Sequence, residues 1–114
     1  MRMGPMQPID PQADSQPDMD PLELERVKLN QETARIAWTE LQRFFAQGTV
    51  IWVSADLDLV EMGQRFTRDD AQGVAAEMER GAIARVGDDQ ARAWLQADAS
   101  LWALVVRPWI LVQE

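Results

Sequence analysis

The side chains able to do chemistry are few and mostly acidic. Asp56, Asp58 and Glu61 form a D-x-D-x-x-E group, the clustered carboxylates that a hard cation prefers. Glu40 and Asp98 are further candidates for acid–base work, because burial can tune a carboxyl toward neutral pH. Asp98 is the more interesting, lying between Trp94 and a long apolar run. Arg107, between Trp102 and Trp109, has the chemistry to stack on an indole or clamp an anion. Trp94, Trp102 and Trp109 could wall an apolar pocket with Asp98 or Arg107 as its polar anchor.

Each candidate also has a plainer reading. Asp58 followed three residues later by Glu61, with Leu57 and Met62 around them, is a capping box with a hydrophobic staple. That reading is preferred to a metal site, since no histidine and no fuller ligand loop accompany the carboxylates. Asp98 reads as a helix-end residue bonding the backbone of Ser100. Arg107 reads as a solvated residue at a kink.

Composition closes off much else. The 114 residues contain no cysteine and no histidine, which removes thiolate catalysis, disulfides, Cys-ligated zinc and the usual general base. Lys28 is the sole lysine and the net charge is −8, so the basic footprint of a nucleic-acid binder is missing and an anionic membrane surface is a poor partner. No apolar run approaches the roughly 20 residues of a membrane span. The isolated glycines make no phosphate loop. No cofactor and no metal are expected, and the cytoplasm is the default location.

The elements that must position these side chains follow from the pattern. Residues 1–20 are expected to be a disordered tail: five of the six prolines and four of the six methionines fall within the first 21 residues, and no apolar period runs through them. Asp20-Pro21-Leu22-Glu23 is a helix start. Either one helix runs from about Pro21 to Gln47, or a frayed turn precedes a helix from Gln31. Ala34, Ala37, Trp38, Leu41, Phe44 and Phe45 share a face at 3.6 spacing, with Gly48 as the stop. A continuous helix would align Leu22, Leu29 and Ile36 in a second seam, which could be covered by the domain's own tail or by another chain.

Thr49–Val53 is β-branched and reads as a strand. Two capped helices follow, from Asp58 to Phe66 and from Asp70 to Arg80, the second packing Val74, Ala75 and Met78. Ala82–Val86 is a short strand, and Asp89–Ala97 a helix packing Ala91, Trp94 and Leu95. Leu101–Val106 lacks alternation, which suits a strand covered on both faces. Arg107-Pro108 is unsuited to a two-residue hairpin with positive φ, so a bent strand or a corner is expected there, leaving Trp109–Val112 at an edge.

The runs LNQETARIAWTELQRFFAQG, DLDLVE, GAIARV and QARAWLQADASLWALVVRPWILVQE resemble the domain-of-unknown-function family 2288 (DUF2288), small and mostly bacterial proteins, over residues 29–114. The resemblance implies a shared fold and carries over no catalytic residue.

The expectation is therefore an α+β domain over residues 21–114, with about four helices on a three- to four-stranded sheet. Its function is read as a non-catalytic interaction or accessory protein, with a protein partner or a second copy engaged through the Ile36 seam or the Trp109 edge. The alternative is a small-ligand or weakly catalytic pocket lined by the tryptophans.

Overall fold

The computed structural model describes residues 20–114. The tail expected over residues 1–20 lies outside them except for Asp20, which is the N-cap of the first helix. Helix α1 spans Pro21–Glu32. The Asp20 carboxylate accepts from Glu23 N–H at 2.9 Å, and Pro21 occupies the first turn where a missing donor costs nothing.

The next residues overturn an expectation. Ala34–Ala37 is a strand, β1, and helix α2 begins only at Trp38 and runs to Ala46. The pattern on Ala34, Ala37 and Trp38 fits a helix, but pairing with a remote strand wins. Ile36 sits opposite Leu101, half-buried against the core, and Leu29 is buried on α1. The Leu22–Leu29–Ile36 seam therefore does not exist, since the helix that would align it is broken.

Strand β2 (Val50–Val53), α3 (Leu59–Thr67), α4 (Ala71–Glu79), β3 (Ile83–Arg85) and α5 (Asp88–Gln96) follow, then β4 (Ser100–Val106) and β5 (Trp109–Gln113). The five strands form one mixed sheet in the order β1-β4-β5-β2-β3. β5 runs parallel to β2, and every other pair is antiparallel. The class is α+β as expected, with one helix and at least one strand more among the described residues.

β4 and β5 are joined by a two-residue connection in which Val106 faces Trp109. This corrects the expected corner. That pairing puts Pro108 at the third position of a four-residue turn; the Arg107–Pro108 bond is cis, as in type VI turns. The objection to Arg-Pro holds only for turns with positive φ. The hairpin also puts β5 between β4 and β2, so Trp109 lies on an interior strand and the expected edge is absent.

Alternation along the strands builds two cores. Leu104, Val106, Ile51, Val53, Ile83 and Leu111 face α1, α3 and α4; Leu101, Ala103, Val50, Ile110 and Val112 face α2 and α5. On the second face Trp38 and Trp94 meet edge to face, with ring centres 5.1 Å apart. β4 is covered on both faces only at Ala103 and Leu104; Trp102 and Val105 are exposed, against expectation. Met78 and Leu95 are exposed as well, lying on the outer sides of α4 and α5.

Candidate functional site

The acidic group of the sequence is a structural device. Asp58 accepts from the backbone N–H groups of Val60 at 2.9 Å and Glu61 at 3.3 Å and so caps α3. Its other oxygen takes the Arg26 guanidinium of α1. The hydrogen bond from Arg26, aided by the two backbone donors, holds the Asp58 carboxyl below the usual carboxylate range and raises Arg26. Met62 is buried in the first core and Leu57 packs against that cluster, the side of the helix start a staple would cover. Among the described residues no group of three or more acidic side chains could hold a metal ion.

The five residues proposed as a pocket do not converge. Trp94 is buried against α2 on one face of the sheet, where its indole N–H donates to Glu114 Oε2 at 3.0 Å. Trp102 lies on the other face, sharing the parity of Leu104 and Val106. Trp109 is on that same face but at the opposite end of the hairpin, with Arg85 rather than Arg107 stacked 5.4 Å from its ring centre. Arg107 is exposed at the turn.

Asp98 is also exposed, with φ of 51°, and ends α5: Asp98 N–H donates to Leu95 O at 3.2 Å and Ala99 N–H to Trp94 O at 3.0 Å, a Schellman closure. Asp98 does end the helix, but through its backbone N–H to Leu95 O rather than through the expected bond to the backbone of Ser100.

What the tertiary structure does assemble is a row on one face of three adjacent strands. The register sets Arg35 of β1 opposite Trp102 of β4, and Trp102 opposite Gln113 of β5. The Arg35 guanidinium stands 5.3 Å from the Trp102 ring centre and donates to Ser100 O at 2.9 Å. Gln113 Nε2 donates to Ser54 O at 2.8 Å and Leu57 O at 2.7 Å, tying β5 to the loop before α3. Trp102 and Gln113 floor an open groove of about 500 Å³ between that loop and the last turn of α1, with Asn30, Thr33 and Asp58 on its sides. Sequence reading missed Arg35, Gln113 and Asn30, because no local pattern links residues so far apart.

A second surface runs along α1. Of its twelve residues only Leu29 is buried, and Leu22, Leu24 and Val27 are 47%, 40% and 45% exposed. The helix is held largely by polar contacts: Arg26 to Asp58, Arg68 to Glu25 at 3.2 Å, and Gln64 Nε2 to Leu22 O at 3.0 Å.

These features define a small layered α+β domain without an assembled catalytic constellation among the described residues. The chain belongs to the DUF2288 family, described as proteins of unknown function, whose model matches residues 25–114. It is similar to a solved structure, the NMR solution structure of PA1075 from Pseudomonas aeruginosa, at 46% identity and a TM-score of 0.71, covering 80% of this chain and 84% of that one. No curated protein matches the chain. No helix among the described residues is long and apolar enough to cross a membrane.

Proposed function

We propose that this protein is a non-catalytic cytoplasmic interaction module, and that the outer side of α1 receives a protein partner whose contact surface carries basic groups at its rim. One observation carries the reading. Leu24 and Val27, three residues apart and so neighbours on the helix surface, point away from a domain to which α1 is fastened by ion pairs. Helix-in-groove recognition uses this arrangement of apolar anchors. The net charge of −8 selects a basic rim and disfavours a second copy, which would bring the same charge.

The test is capture from native lysate by the wild-type protein and by the Leu24→Ser/Val27→Ser double variant, with light scattering alongside. Support is a partner held by the wild type, weakened by salt and lost in the variant, while the variant keeps wild-type stability within about 0.5 kcal/mol, as surface changes do. Capture indifferent to the two substitutions would remove α1 as the docking surface. A concentration-dependent dimer abolished by them would replace the basic partner with a second copy.

A further inference from the structure

The groove over Trp102 adjoins the exposed side of α1, with Asn30 three residues beyond Val27, but its floor invites a different occupant. Its floor is a prearranged aromatic surface. Trp102 is 41% exposed, whereas Trp38 and Trp94 are buried. Its ring is steadied by Arg35, whose guanidinium is itself anchored on Ser100 O. An indole fixed in this way can stack a flat ring with little further ordering of the protein.

The polar groups around the floor are amides rather than free charges. Both donors of Gln113 Nε2 are taken by the carbonyls of Ser54 and Leu57, which fixes the amide plane and leaves Oε1 to accept. Asn30, on the last turn of α1, brings a donor and an acceptor side by side. Asp58, the one charged group on the groove wall among the described residues, is paired with Arg26 and occupied in capping α3. The volume of about 500 Å³ suits a small molecule.

We propose that this groove binds an uncharged, flat heteroaromatic ring of the nucleobase or nucleoside type, stacked on Trp102, with Asn30 pairing a donor–acceptor edge and Gln113 Oε1 accepting from an exocyclic amine. Amide side chains pair such edges in two places at once, and an aromatic wall supplies the stacking. Among the described residues the groove wall carries no cation, so a phosphate would meet Asp58 there. The site is one for the base, not the nucleotide.

The test is an NMR titration of the full chain with adenosine, guanosine, cytidine and uridine, observing the indole N–H signals. The Trp102 signal is identified by its loss in Trp102→Phe. Titration to about 10 mM covers the millimolar Kd that one stacked ring with two or three hydrogen bonds supports. The expected result is a saturable shift of the Trp102 signal for at least one nucleoside, with Trp38 and Trp94 unmoved. Trp102→Ala should weaken that binding about tenfold or more, and Asn30→Ala should erase the preference among bases; stacking of this kind contributes about 1–3 kcal/mol per base. No saturable shift with any of the four nucleosides overturns the proposal. So does tighter binding of adenosine monophosphate than of adenosine, which would mean an anion site. Neither outcome touches the docking surface on α1, whose test reads Leu24 and Val27.

Discussion

Gly63 of α3 lies so close to Leu104 of β4 that a Cβ on the glycine would stand 2.6 Å from Leu104 Cδ2, with Leu29 Cδ1 of α1 at 3.6 Å. Leu104 is fully buried in the first core and has nowhere to go. The missing side chain lets α3 settle onto the middle of the sheet while α1 leans in beside it.

Gly63→Ala should therefore destabilise the domain, although alanine is the better helix former. Overpacking a closed core costs about 1–3 kcal/mol, against at most about 1 kcal/mol of regained helix propensity. The expected net loss is about 1 kcal/mol, read as a fall in Tm of several degrees. An unchanged or higher Tm would mean that Leu104 can move aside.

Asp58 should show separable roles. Asp58→Asn keeps an N-cap and loses the ion pair with Arg26, so it should cost at most about 1 kcal/mol, the range of exposed pairs. Asp58→Ala loses both and should cost about 0.5–2 kcal/mol more, the range for removing a cap. Urea titrations of the two variants side by side decide it.

The same carboxylate sets a pH dependence. Its folded pKa is held down by Arg26 and the two backbone donors. Its contribution is thus complete above the ordinary carboxylate value of about 3.9 and is lost as pH falls through the lower folded value. Between about pH 6 and pH 2, Asp58→Asn should lose less stability than the wild type does. Parallel curves would show that the pair contributes nothing to acid sensitivity.

Asp69 and Asp98 hold φ of 57° and 51° in the helix-ending turns of α3 and α5, where Gly48 and Gly81 do the same for α2 and α4. Asp69→Gly and Asp98→Gly should each stabilise by up to about 1 kcal/mol, because the left-handed conformation strains any residue with a Cβ. Gly81→Ala is the mirror test. Among the described residues nothing lies within 4 Å of a Cβ there, so a loss of about 1 kcal/mol would report the backbone alone. Thermal melts showing the opposite signs would remove the argument.

The tryptophans should divide by position. Trp38→Ala opens a cavity beside Trp94 and should cost about 3–5 kcal/mol. Trp102→Ala removes a ring that is partly in water and should cost markedly less. Near-ultraviolet circular dichroism with urea unfolding distinguishes the two; equal losses would mean that Trp102 is a core residue.

What the amino-acid sequence determined by itself is local. Asp20, Asp58 and Asp70 as N-caps, the glycine stop after α2, and the strand character of residues 50–53 all depend on neighbours a few positions away. A short span of chain is enough to read them. Asp98 as a helix end belongs to the same group.

The tertiary structure decided whatever depends on hydrogen bonds from distant residues. Ala34–Ala37 has a helical pattern, but residues 100–103 offer it a ladder, so the expected long helix is cut and the seam through Ile36 dissolves. Trp109 became interior because the two-residue turn brings β5 back beside β4 while β2 takes its other side. Gly63 reads as mere punctuation until Leu104 is placed against it. The row Arg35–Trp102–Gln113 exists only as register between three strands. Local signals end within a turn or two of helix, whereas the pairing partners of β1 lie more than sixty residues away along the chain, as Arg35 and Trp102 do.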